Sequence, residues 1–242
     1  LIKAFHQVPK PIYKNDPHYI AHIKQDIDKI FDPKRNKLFK QGGEAIRWVL
    51  YDDKNELVGR VAAFINPKTK INSQNKVPTG GMGFFECIDD QSAANILFEA
   101  CVHWLKERKI EVMEGPINFG ERNEYWGLLI ENFDAPANYQ MNYNPSYYKN
   151  LFEVFGFQVY FKQIIFWKDI YGELDPKFEK AYDAIKDDPD YEVKNIRGMD
   201  LDQVARDFQE VYNGAWGGHA GFTKLKLQVA QNIMKALKPI ID

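Results

Sequence analysis

Asp89-Asp90-Gln91-Ser92-Ala93 joins a β-prone run, Met82 to Ile88, to a long amphipathic run. A helix that opens directly after a strand leaves unpaired backbone amides at the strand's carboxyl end, and such an end binds anions. The spacing alone does not say which anion. Two further groupings could do chemistry. His18 and His22 stand four residues apart, the spacing of one helical turn, and would suit a metal. No third ligand lies near them, so a solvated helix face is the competing reading. Cys87 and Cys101 lack the spacing of a zinc or redox pair. They read as free thiols in a reducing compartment, the cytoplasm.

The elements that must position these residues run from Gly80 to Asn118. Asp89 and Asp90 act as turn and N-cap, since a short carboxylate reaches the free amides of a first helical turn. Ala93, Leu97, Ala100, Cys101, Trp104 and Leu105 recur at three- and four-residue spacing and form one apolar face. Lys106 to Lys109 places basic side chains at the negative end of that helix. Ile110 to Met113 restarts as a short strand, which Gly115-Pro116 stops. Strand, helix and strand with short links predict a parallel pair with a right-handed crossover.

With 242 residues, the chain is long enough for one full domain and part of another. The net charge of −2 gives no global attraction to nucleic acid or anionic membranes. The one basic cluster, Lys34, Arg35 and Lys37, reads as a solvated turn. No apolar run approaches the ~20 residues that a membrane span needs. The chain starts at Leu1 without a signal-like segment, and a natural protein longer at either end is expected. Aromatic residues make up 14%, which fits either large core fillers or a groove for an elongated ligand.

In chain order, Leu1 to Phe5 reads as a short edge strand. Asp16-Pro17 opens a helix that Asp32-Pro33 closes, with an apolar stripe of Ile20, Ile23, Ile27, Ile30 and Phe31. Arg47 to Tyr51 and Leu57 to Ile65 form a hairpin across a polar turn. Gly115 to Asn144 is a long connection dense in Gly, Asn and aromatics, as functional loops are. A brief strand is expected at Leu128 to Ile130. Asn144-Pro145 caps a helix whose buried face is Tyr148, Leu151, Phe152 and Phe155 and whose end is Gly156. Phe157 to Trp167 is β-prone, and Asp175-Pro176 opens a helix to Ile185.

This order resembles the GNAT acyltransferase superfamily, an α/β fold on a mixed sheet. Glu56-Leu-Val-Gly-Arg-Val61 is similar to its second and third strands, and Phe84-Phe-Glu-Cys-Ile88 to its fourth. Tyr147-Tyr-Lys-Asn-Leu-Phe-Glu-Val-Phe-Gly-Phe157 is similar to its closing helix. Gly115-Pro-Ile-Asn-Phe119, Gly127-Leu-Leu129 and Tyr143-Asn-Pro-Ser-Tyr-Tyr148 resemble a bacterial group of uncharacterised GNAT proteins with two such domains.

The resemblance implies transfer of an acetyl or other acyl group from acyl-CoA to the amine of a small molecule or peptide, without a metal. The acyl-CoA arm would lie where the fourth and fifth strands part. Phe85 and Cys87 would flank it, and Gln91, Ser92 and Ala93 would offer amides to the pyrophosphate. Glu86 would be the base that deprotonates the acceptor, directly or through water. Asn118 and Arg122 would line the acceptor side.

The sequence departs from the family twice. Asp89 to Asn95 lacks the Gly of the phosphate loop and puts two carboxylates there. Phe152 occupies the place of the usual tyrosine acid, and Tyr148, one turn earlier, is the substitute. A catalytically degenerate GNAT-like module that supports a second domain is therefore the alternative reading.

The domains implied are 1–170, a linker 171–190, and 191–242 as the opening of a second, truncated GNAT-like domain. In that opening, Tyr191 to Ile196 would be a strand, and helices would follow from Asp200 and near Leu225. Nucleic acid and membrane are not expected partners. His219, alone in a Gly-rich loop, carries no expected role.

Overall fold

A computed structural model describes residues 1–69, 76–121, 123–169, 171–217 and 224–240. The chain divides into two compact units, Leu1–Lys162 and Gln163–Asp242. The first is a mixed α/β unit on one four-stranded sheet of order β1-β2-β3-β4.

Four short helices come first: α1 (Ile2–Phe5), α2 (Pro9–Ile12), α3 (Lys24–Ile30) and α4 (Lys37–Lys40). The hairpin follows as β1 (Glu44–Tyr51) and β2 (Leu57–Ile65), antiparallel in register from Glu44↔Ile65 to Tyr51↔Leu57. Asp52 closes its turn, its carboxylate accepting from the amides of Lys54 and Glu56. β3 (Thr79–Cys87) is the central strand, buried at every position. α5 (Gln91–Lys106) then crosses to β4 (Val112–Glu114), which pairs parallel with β3 as expected.

The sheet is covered on both faces. On one, Val61, Ala63, Ile65, Met82, Phe85 and Cys87 pack against Leu97, Phe98 and Cys101 of α5 and against α6 (Tyr148–Phe155). On the other, Ala62, Phe64 and Phe84 pack with Phe5, Ile27, Ile30, Phe119 and Tyr125. β2 alternates simply between these faces, as a period of two requires. β3 does not. Its pairing with β2 jumps from Arg60↔Glu86 to Ala62↔Gly83, and Phe84 has a left-handed φ of 53°. This is a bulge, with one extra residue that breaks the alternation. Phe84 therefore faces one core, Phe85 and Cys87 face the other, and Glu86 emerges beside Arg60 and Phe5.

β3 and β4 pair over three positions only, Thr79↔Val112 to Gly81↔Glu114. β4 stops before the cis Gly115–Pro116 bond, and the Ile117 amide donates to the Met82 carbonyl at 2.8 Å. Gly83 permits this crossing, because a Cβ there would stand 2.0 Å from the Ile117 carbonyl oxygen. Beyond it the two strands part.

Several sequence expectations fail here. Leu1 to Phe5 is helical, and five residues carry too little periodicity to tell helix from strand. The helix predicted from Asp16 shrinks to α3, with Ile20 and Ile23 exposed rather than in a stripe. Leu128 to Ile130 forms no strand. Asn144 does not cap α6. Its side chain instead pairs with Leu129, accepting from the amide at 2.8 Å and donating to the carbonyl at 3.1 Å. Gly156 does end α6, at φ 111°, with the Phe157 amide donating back to the Phe152 carbonyl.

The second unit holds α7 (Pro176–Ile185), α8 (Leu201–Trp216) and α9 (Leu227–Leu237), followed by a single 3₁₀ turn. Asp175 and Asp200 cap the first two as expected. Ala205, Ala230 and Met234 form the small contact between α8 and α9. Asn213 of α8 clamps the Leu225 backbone from both its amide and its carbonyl. Tyr191 to Ile196 forms no strand. Strand propensity depends on a neighbouring strand to pair with, and none is present among the described residues of this unit. Phe157 to Trp167, which runs across the boundary between the units, forms no strand either. No helix among the described residues is long and apolar enough to cross a membrane.

Candidate active site

The register of β2 on β3 sets Arg60 directly opposite Glu86. Both are nearly inaccessible, at 2% and 6% exposure. Arg60 Nη2 donates to Glu86 Oε1 at 3.2 Å, and Nη1 donates to the Phe5 carbonyl at 2.8 Å. Its Nε has no partner among the described residues. The other carboxylate oxygen, Oε2, receives two phenols: Tyr13 at 2.7 Å and Tyr148 at 2.9 Å. Three donors thus converge on one buried carboxylate.

Burial lifts the Glu86 carboxyl above the usual carboxylate range, and Arg60 and the two hydroxyls oppose that rise. The Tyr13 and Tyr148 hydroxyls are pushed well above the ordinary tyrosine value by burial, then by the Glu86 charge. Both therefore remain proton donors at neutral pH.

Tyr148 also serves the strand. Its oxygen accepts from the Cys87 amide at 2.8 Å, while Tyr147 donates to the Cys87 carbonyl at 2.8 Å. These two hydroxyls satisfy the edge that β4 leaves open where it departs. Beside this edge lies a cleft of about 400 Å³ of non-atom space, partly open to solvent. Arg60, Glu86 and Tyr148 line it, with Phe84, Phe85, Leu128 and Phe152 as apolar walls.

A loop of the N-terminal region borders the same cleft. Tyr13 and Tyr19 stack at 3.8 Å, and the Tyr143 hydroxyl donates to Asp16 Oδ2 at 2.8 Å. His22 also lines the cleft, edge-on to Tyr125 at 5.0 Å. It is not on a solvated helix face. Burial, then the Arg60 charge, lowers its imidazole to about 4. His18 and His22 do not share a helical turn, and no group of three or more candidate metal-ligating side chains occurs among the described residues.

The other residues singled out in the sequence fall differently. Phe85 is a core residue, stacked on Phe98 at 4.7 Å. Cys87 is fully buried, and burial raises its thiol to about 12, so it is inert as a thiolate. The amides of Ser92 and Ala93 are not open to an anion, because Asp90 Oδ1 accepts from them at 2.7 and 3.1 Å. Gln91 ties α5 to α6 by donating to the Leu151 carbonyl at 3.1 Å. Asn118 lies in a separate small hollow with Asn66, Thr79 and Glu114. Arg122 and His219 fall outside the described residues.

The sequence reading missed Arg60 and Tyr13, and gave His22 a metal or a solvated helix face rather than a place in this cleft. Arg60 was accessible in principle, since a bulge placed at Phe84 puts it opposite Glu86. Nothing local marks Tyr13, which is 73 residues from its partner.

No family model matches the chain. It is 27% identical over 254 aligned residues to a protein named bacterial ceramide synthase from Caulobacter vibrioides, covering 100% of this chain and 62% of that protein. It is also 27% identical over 226 residues to Protein YghO of Escherichia coli, covering 91% of this chain and 55% of that one. The chain thus spans little more than half the length of these curated relatives. Among solved structures, a provisionally named acetyl transferase of Pyrococcus furiosus matches with a TM-score of 0.37 and 15% identity, over 70% of this chain and 93% of that one. That score establishes neither fold nor activity.

Proposed function

We propose that the chain is part of a GNAT-like, acyl-CoA-dependent N-acyltransferase that joins an acyl group to the amine of a small molecule. The observation that carries this reading is the Glu86 cluster at the point where β3 and β4 part: a buried carboxylate and two phenols lining or bordering one cleft. A carboxyl lifted by burial takes a proton more readily than an ordinary carboxylate, as a general base must. The Tyr148 hydroxyl, 2.9 Å from it, would relay that proton from the acceptor ammonium or protonate the departing thiolate.

The name of the Caulobacter relative describes formation of an amide from a fatty acyl group and a long-chain amino alcohol. The lining of the cleft, apolar at Phe84, Phe85, Leu128 and Phe152 and ionisable at Arg60, Glu86 and Tyr148, matches the chemistry of such an acceptor. Acyl-CoA is a substrate in this reading, and the fit to it is uneven. The parted strands favour it. The Asp90 cap and the neighbouring Asp89 disfavour a pyrophosphate at the head of α5.

A second reading, a GNAT-like binding module without catalysis, is favoured by that capped helix end and by Phe152 in place of a tyrosine. The deciding experiment incubates the full-length protein with acyl-CoA and a long-chain amino alcohol and seeks the amide by mass spectrometry. Amide that disappears with Glu86→Gln supports the enzyme. Thermal stabilisation by acyl-CoA with no amide formed supports the module.

A further inference from the structure

We infer that His22 is a second proton acceptor of the same cleft, taking the proton released by the acceptor nitrogen once it has bonded to the acyl carbon. This rests on the acyl-transfer reading above. Amide formation from an ammonium and a thioester releases two protons. The first leaves the ammonium to free the nitrogen lone pair. The second leaves the nitrogen after the C–N bond forms and before or as the C–S bond breaks. The departing thiolate then takes up one proton, and one goes to solvent.

Glu86 has room for only one of these events. Its oxygens already accept from Arg60, Tyr13 and Tyr148. His22 differs in each respect. It lines the same cleft, and neither of its ring nitrogens has a hydrogen-bond partner among the described residues. Its ring is held from the side by Tyr125 at 5.0 Å, which fixes its plane without using a nitrogen. The neutral ring therefore keeps one nitrogen lone pair that no described side chain or backbone group uses. The charged groups that bear on it are Arg60 from β2 and Asp26 from α3, and the titratable Glu86 and Tyr148 line the same cleft. The second proton asks less of a base than the first, because a nitrogen bonded to the former carbonyl carbon is more acidic than a free ammonium, and burial makes His22 a weakened base.

The test uses full-length protein and an acyl-CoA with a long-chain amino alcohol. His22→Gln should lower kcat by about 10²-fold with little change in KM, and added imidazole should restore part of the loss. His103→Gln, exposed on α5, serves as the control and should leave turnover unchanged. On the unsubstituted protein, the amino alcohol should slow carbethoxylation of His22 by diethyl pyrocarbonate several-fold, a readout that does not depend on the variant folding. Wild-type turnover that His22→Gln leaves intact, or His22 modification that the amino alcohol does not slow, overturns the role of His22 alone. Absence of amide from the wild-type protein overturns the acyl-transfer reading and this inference with it.

Discussion

Arg60 and Glu86 form a direct cross-strand pair, guanidinium to carboxylate at 3.2 Å, with both side chains almost wholly removed from water. Two charges this deep stabilise a fold only while both are present. Removing one leaves the other buried and uncompensated, at a cost of about 3–5 kcal/mol. Arg60→Met alone should therefore destabilise strongly. Combined with Glu86→Gln it should destabilise less than the sum of the two single changes. Urea denaturation of the three variants measures this, and strict additivity would remove the pair from the account of stability.

Tyr148 joins Glu86 to the edge of β3 that no strand covers at Cys87. Tyr148→Phe deletes the shared hydroxyl, leaving a buried amide and a buried carboxylate oxygen each short of one partner. A loss of about 1–3 kcal/mol is expected. Tyr147→Phe gives up only the bond to the Cys87 carbonyl and should cost less. Thermal denaturation of the two variants ranks them, and the reverse order would contradict this account of the edge.

Asp90→Ala separates two consequences of one cap. Losing the cap should destabilise by about 1 kcal/mol. The same change frees the Ser92 and Ala93 amides and removes a negative charge beside them. If a pyrophosphate binds at that end, acyl-CoA should bind more tightly to the less stable variant. Calorimetric titration of both forms reads this. Unchanged or weaker binding would place the nucleotide elsewhere.

His22 also makes a prediction about pH. Its folded imidazole titrates near 4, below its ordinary value of about 6.5. Between these values the unfolded chain takes up a proton that the folded chain refuses. Stability should therefore fall as pH drops from about 6.5 toward about 4, and be unaffected by this group above that window. His22→Gln should flatten that limb in a denaturation series. A slope equal to that of the wild type would mean that His22 is not held neutral.

Much of the first unit was legible in the sequence, for physical reasons. The hairpin, β3, α5 and α6 are each specified by local pattern, and Asp90 and Gly156 punctuate where their chemistry requires. Glu86 and Tyr148, both chosen from a family resemblance, lie within hydrogen-bond distance. The site's remaining members were not legible. Tyr13 and His22 belong to irregular segments whose positions follow from tertiary contacts, such as the stack on Tyr19 and the edge contact with Tyr125. A cap and an open anion site draw on the same amides, and the sequence reading assigned both roles to one helix end. The structure gives those amides to Asp90.

The left-handed Phe84 has a consequence for how much change β3 tolerates. Were that single residue deleted, Phe85 alone would stand opposite Val61 and the strand would regain its regular pleat, with Glu86 still facing Arg60 and Gly83 still facing Ala62. The carboxylate would keep its side, and the loss would fall on the ring wedged among Phe5, Phe31 and Tyr125. Shortening by one residue at this point would thus hollow out one core while sparing the charged pair next to it.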